Sequence, residues 1–122
     1  MHLRTEQHLR RQNDFRQVRE QGRRLDSGAF TLWWRSRGPA GPAAESSLVR
    51  VGVVASIAAV GGAVRRNAAK RRLRELFRRH QSLLPPGTDL LLVARASLNR
   101  LAFHEAEAKF INACRRITED QA

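Results

Sequence analysis

Residues 63–80, AVRRNAAKRRLRELFRRH, carry eight Lys or Arg and one acidic residue, Glu75, yet keep the periodicity of a helix. At about 100° per residue with Arg66 at zero, Lys70, Arg74, Asn67, Arg78 and Arg71 fall between roughly 40° and 140°. Ala69, Leu73, Leu76, Phe77 and His80 gather on the adjoining face, from roughly 280° round to 20°. This segment constrains the fold more than any other. Its apolar face must pack on a second layer, and its cationic face must stay outside that contact.

The outer face holds a ladder, Arg66, Lys70, Arg74 and Arg78, at i, i+4 spacing. Like charges at that spacing destabilise an isolated helix by a few tenths of a kcal/mol per pair. Solvated helices usually interleave both signs, so an unrelieved ladder points to a polyanionic partner. The segment has seven arginines to one lysine, and the planar guanidinium suits bidentate phosphate contacts. The whole chain has the same bias, with a formal net charge of +12. Such self-repulsion costs stability, and nucleic acid is the first partner that explains it, ahead of an anionic membrane surface.

The chain has 122 residues, 42% of them hydrophobic, which suits a single folded domain over 1–122. Asn13 or Asp14 caps a short helix over roughly 13–21, which Gly22 stops. AFTLWWR (29–35) reads as a strand, and LVRVGVVAS (48–56) as a second one. Between them SRGPAGPAAESS (36–47) reads as a mobile hairpin loop. After the basic helix, Pro85-Pro86-Gly87 breaks the chain. Leu90–Ala94, LLLVA, suits a strand buried on both faces. Phe103, Ala106, Phe110, Ala113, Cys114 and Ile117 then recur at helical spacing, giving a closing helix to about Ile117. The predicted order is α-β-β-α-β-α, an α/β (α+β) two-layer sandwich of one central sheet with packed helices and flexible termini.

No arrangement of side chains stands out as catalytic or metal-binding. His2, His8, His80 and His104 lack metal-like spacing. The single cysteine, Cys114, rules out an internal disulfide and lies on the apolar stripe of the last helix, where a core role outweighs a nucleophilic one. Gly61-Gly62 could bring backbone amides near a phosphate, although a lone Gly pair is weak support. Phe15 read alone is a core residue. Trp33 and Trp34, adjacent on a strand, point to opposite faces, so one is buried and the other more exposed. With no apolar signal core at 1–11 and no run near the ~20 apolar residues of a membrane span, a soluble cytoplasmic protein is expected.

Arg66-Asn67-x-x-Lys70-Arg71-x-x-Arg74 resembles the signature helix of the bacterial ribonuclease P protein family. The resemblance runs from about residue 9 to 117. Asn13-Asp14-Phe15-x-x-Val18 with Gly22-Arg23 is similar to that family's opening helix, and Phe30-x-Leu32-Trp33 to its first strand. Arg50-Val51-Gly52 and Val60-Gly61-x-Ala63-Val64 match its second strand and the loop before the helix. Asp89–Arg95 matches its later strand. The resemblance implies an endoribonuclease, a ribonucleoprotein that matures the 5′ end of precursor tRNA. Its RNA subunit carries the catalysis with Mg²⁺, and the protein binds that RNA and the 5′ leader of the substrate. By position, Arg66, Asn67, Lys70, Arg71, Arg74 and Arg78 contact RNA, while Phe15 and Trp33 line the leader cleft. No catalytic residue, bound metal, membrane or small-molecule substrate is expected for this chain. The implied fold resembles a domain of a small-subunit ribosomal protein, with a left-handed β-α-β crossover that periodicity could not disclose.

The chain departs from the family where lysines commonly precede the helix, since it has Ala58, Ala59 and Gly62 there. Arg19 stands where a second cleft aromatic is common. Two other readings remain open on the residues alone. A general RNA- or DNA-binding module, such as a ribosomal protein or a helix-turn-helix regulator, shares the charge, although β-branched and aromatic strands disfavour helix-turn-helix. A small basic nuclease would need an acid/base or metal constellation that is not visible.

Overall fold

A computed structural model describes residues 12–36 and 48–121 of the chain. The loop expected at 36–47, apart from Ser36, lies outside the described residues, as do the first eleven residues with His2 and His8, and Ala122. Helix α1 (Gln12–Gln21) leads into a hairpin of β1 (Arg23–Asp26) and β2 (Phe30–Ser36). Then come β3 (Arg50–Val54), the short α2 (Ile57–Val60), the basic helix α3 (Ala63–His80), β4 (Thr88–Ala94) and α4 (Phe103–Gln121). Single 3₁₀ turns occupy Gln81–Leu83 and Leu98–Arg100.

The four strands form one sheet in the order β1-β2-β4-β3. β1 and β2, and β2 and β4, are antiparallel, whereas β3 and β4 are parallel and joined through α2 and α3. A parallel pair needs such a crossover because a tight turn cannot reverse the chain twice. β4 lies between two neighbours, which is why LLLVA reads as continuously apolar. Leu90, Leu92 and Ala94 enter the main core, while Leu91 faces the other side with Val93. The adjacent tryptophans divide in the same way. Trp34 is buried in the main core, and Trp33 is half-buried under α1.

Helices α3 and α4 cover one face of the sheet. α3 contributes Ala69, Leu73, Leu76 and Phe77, and α4 contributes Ala106, Phe110, Ala113, Cys114 and Ile117, all buried. These are the residues that helical spacing selects as apolar faces. The Phe30 and Phe110 rings meet at 6.2 Å between centroids, tilted by 54°, a favourable aromatic geometry. Helix α1 crosses the opposite face over β2 and β4. It comes close at its end. A Cβ on Gly22 would lie 2.3 Å from the Val18 carbonyl oxygen and 2.4 Å from that of Trp34, so only glycine fits there.

The predicted order α-β-β-α-β-α lacks β1 and α2 and is corrected by them. β1 is RRLD, three of its four residues charged. It lies at the sheet edge, so backbone pairing with β2 makes it a strand, and its side chains carry no alternating apolar signal. Charged side chains on an edge also hinder pairing with another chain. Asp26 forms the hairpin tip by accepting the Gly28 N–H at 2.8 Å, and Gly28 takes a φ of +84°. The strands expected at 29–35, 48–56 and 90–94 shift to 30–36, 50–54 and 88–94. The last helix extends past Ile117 to Gln121.

A buried carboxylate links the layers. Asp89, with a side chain 1% exposed, accepts two hydrogen bonds of 2.8 Å from Arg50 and one of 3.4 Å from Arg35. Register places Arg35, Asp89 and Arg50 in one row across β2, β4 and β3. Arg35 also donates to Gln21 at 2.6 Å and to Gln17 at 3.1 Å, so the row holds α1 to the sheet. On the other face, Arg72 donates to the carbonyl oxygens of Leu98 (3.0 Å) and Leu101 (2.6 Å), and Asn99 donates to that of Arg65 (3.0 Å). These bonds fix α3 to the β4–α4 connection. Glu75 pairs with Arg78 and, at 2.9 Å, with Arg79, while His80 and Glu107 meet at 2.9 Å between α3 and α4.

Two consequences are measurable. Asp89→Ala leaves two guanidinium groups without their carboxylate. It should cost about 2–4 kcal/mol in urea unfolding, below the cost for a fully dry pair because both arginines keep some water. A loss under about 0.5 kcal/mol would remove Asp89 from this role. The second concerns Glu75, whose carboxyl is held down to about 2 by its hydrogen bonds to Arg78 first and Arg79 second. A depressed folded value stabilises fully above the ordinary value of 4.5 and is lost as pH falls toward 2. A carboxyl NMR titration should find the Glu75 midpoint near 2, and a midpoint near 4.5 would show that the pairing does not persist in solution.

Candidate nucleic-acid interface

The structure divides the cations of α3 into two groups. Arg72, Arg78 and Arg79 are engaged within the protein. Arg72 holds backbone carbonyls, and Arg78 and Arg79 hold Glu75. Arg79 further approaches Glu107 at 3.6 Å and lies 4.9 Å from the centroid of the Phe103 ring. By contrast Arg65, Arg66, Lys70, Arg71 and Arg74 make no ion pair among the described residues. Arg65, Asn67, Arg71 and Arg74 are exposed, and Arg66 and Lys70 are half-buried at the border of the apolar face. Arg66 Nε is shielded from solvent without a hydrogen-bond partner among the described residues.

Of the six helix residues nominated from sequence, Arg66, Asn67, Lys70, Arg71 and Arg74 therefore form one cationic surface. Arg78 stands apart because Glu75 takes its guanidinium. The i, i+3 spacing of Glu75 and Arg78 permits this pair, which the ladder of like charges leaves out. The helix begins at Gly62, whose position is open to solvent, with Ala58 exposed nearby and Ala59 half-buried. The approach to α3 is uncharged where lysines were expected.

Phe15 and Trp33 are brought together on the α1 face. Both are half-buried against Val18 and Leu91, with Val54 and Val93 alongside. The arrangement is an aromatic-lined cluster beneath α1, flanked at one end by the Arg35–Asp89–Arg50 row. Arg24 adds a cation, its guanidinium carbon 5.7 Å from the Trp33 ring centroid. Register places Arg24 directly across from Trp33. Sequence reading missed Arg24 because it sits on the unrecognised edge strand. Arg19 is exposed on α1 and adds no second aromatic.

Cys114 and His80 lie within the packed structure. Cys114 is buried, and burial pushes its thiol up to about 12, so a thiolate is not accessible at neutral pH. His80 packs near Phe110 and meets Glu107, while His104 is exposed. Among the described residues, no three of His, Cys, Asp and Glu are grouped where they could hold a metal ion, and no helix is long and apolar enough to cross a membrane.

Comparison with known proteins agrees with this geometry. The family model described as Ribonuclease P matches residues 3–118. A ribonuclease P protein component from Streptomyces avermitilis is 45% identical over 96 residues, covering 77% of this chain and 76% of the relative. One from Thermotoga maritima is 31% identical over 113 residues, covering 89% and 90%. The solved ribonuclease P protein from Thermotoga maritima superposes with a TM-score of 0.75 at 30% identity, covering 90% of this chain and 96% of that one. A cationic helix over one face of this sheet, an aromatic cluster under the opening helix, and a match over nearly the whole length lead to one assignment: the chain belongs to the ribonuclease P protein component family.

Proposed function

We propose that this chain binds the catalytic RNA subunit of ribonuclease P through the outer face of α3 and the 5′ leader of precursor tRNA through the cluster under α1. It thereby assists endonucleolytic maturation of the tRNA 5′ end in the cytoplasm. The observation that carries this reading is the group Arg66, Asn67, Lys70, Arg71 and Arg74. Four cations and an amide have no side-chain partner among the described residues, on a helix where Arg72, Arg78 and Arg79 are engaged. Phosphates relieve their repulsion and accept their donors.

In this reading the hydrolysis belongs to the RNA subunit, where a bound Mg²⁺ would activate water and offset the charge of the phosphodiester. The side chains of this protein bind and orient. The internal hydrogen bonds of Arg72 and Asn99 hold α3 in place so that its outer arginines meet the RNA without reorganising. On the other face, Phe15 and Trp33 offer stacking surface beside Arg24, a combination that suits single-stranded RNA with little sequence preference. The leader is absent from mature tRNA, so this contact favours substrate over product.

The salt dependence of RNA-subunit binding tests the first surface. Arg66→Ala and Arg74→Ala should each weaken binding and lower the slope of log K against log salt by about one. Arg79→Ala, already paired with Glu75 and Glu107, should leave the slope nearly unchanged. Equal effects at all three positions would mean that bulk charge does the binding. Leader length tests the second surface. Trp33→Ala should weaken precursor tRNA binding by about 1–3 kcal/mol and leave mature tRNA unaffected. Equal weakening of leaderless and long-leader tRNA would make Trp33 a packing residue.

A further inference from the structure

Strand β1, with the β1–β2 hairpin tip at its end, lies at the sheet edge opposite β3, and α4 runs beneath it. Between the tip and α4 is a cavity of about 130 Å³, lined in part by Asp26, Ser27, Lys109, Asn112 and Arg116. Lys109 and Arg116 are seven residues apart and so project from one face of α4, with Asn112 between them. Neither cation makes an ion pair among the described residues, and both are exposed. The Lys109 ammonium reaches the tip itself, since a Cβ on Gly28 would lie 3.8 Å from Nζ.

Asp26 also lines the cavity, but its charge is already answered. It accepts the Gly28 N–H at 2.8 Å, pairs with Arg95 and lies 3.8 Å from Arg24. The Gly28 N–H, then Arg95 and Arg24, hold its carboxyl below the usual range, so it stays ionised at neutral pH and keeps those partners. Arg95 and Arg24 therefore answer this carboxylate, whereas Lys109 and Arg116 line the cavity without an ion pair among the described residues. A water takes about 30 Å³ in the liquid, so the hollow admits a phosphate group together with some of its hydration.

We propose that this cavity is a phosphate-binding site that receives a backbone phosphate of RNA, with Lys109 and Arg116 as counter-charges and Asn112 and Ser27 as hydrogen-bond donors. It is separate from the surface of α3. The cavity lining comes from the β1–β2 hairpin and α4 and includes no residue of α3. The proposal rests on the reading of this chain as an RNA-binding subunit, and it adds a second anchor at the far edge of the fold. An RNA held at both places is fixed in orientation, whereas α3 alone leaves it free to pivot.

The test compares Lys109→Ala/Arg116→Ala with the wild-type chain, after circular dichroism shows equal folding. Inorganic phosphate titrated to millimolar levels should shift the Gly28 amide and Asn112 side-chain NMR signals in the wild type and not in the double variant. Binding to ribonuclease P RNA at near-physiological salt should weaken roughly five- to tenfold in the variant, with the salt slope lowered by one to two. Absence of phosphate-dependent shifts together with unchanged RNA affinity overturns the site. Shifts without loss of RNA affinity show a site for small free anions only and overturn the RNA contact. Arg66→Ala/Arg74→Ala measured alongside separates this proposal from the α3 reading, because each pair of substitutions reports on its own surface.

Discussion

The Asp89 carboxylate is the point at which three strands and the opening helix are tied together. It is buried in the central strand, and burying an unpaired carboxylate would cost several kcal/mol. Arg50 and Arg35 answer it from the neighbouring strands, so the ion pairs follow the sheet register. Arg35 then continues to Gln17 and Gln21 on α1. One charge thereby ties three strands together in that register, and through Arg35 it ties the opening helix to them. These bonds and the burial of Val18 against Leu91 hold α1 over β2 and β4, where Phe15 and Trp33 form their cluster.

The same logic divides the arginines. A chain with 23 basic and 11 acidic residues cannot pair every cation internally. Those next to backbone carbonyls or acidic residues of the helical layer, Arg72, Arg78 and Arg79, become part of the scaffold. Those on the outer face of α3 have no ion pair among the described residues. The scaffold arginines matter to the surface ones. Arg72 and Asn99 attach α3 to the β4–α4 connection at two points, which turns a repulsive row of charges into a rigid one. A rigid row loses little entropy when phosphates arrive, so more of the contact energy appears as affinity.

Helix packing was largely legible in the sequence. Leu73, Leu76 and Phe77 had to face the sheet because no other face of α3 is apolar, and LLLVA had to be central because both of its faces are. The misses have two causes. β1 has no apolar alternation because an edge strand is made by backbone pairing, and Arg24 was lost with it. Arg78 looked like one more rung of the ladder, but the chemistry of a long side chain is decided by what it can reach, and Glu75 is within reach.

By itself the sequence determined the cationic and apolar faces of α3, the buried strand β4, the opposite orientations of Trp33 and Trp34, and the absence of an internal disulfide. These follow from periodicity and residue type, which act over a few neighbouring residues. Only the tertiary structure decided that β1 pairs at the edge, that Asp89 joins Arg35 and Arg50, that Arg24 lies over Trp33, and that Lys109 and Arg116 line one cavity with the hairpin tip. Each of these joins residues distant in the chain, and strand register and helix docking, which no local pattern encodes, set their separation in space.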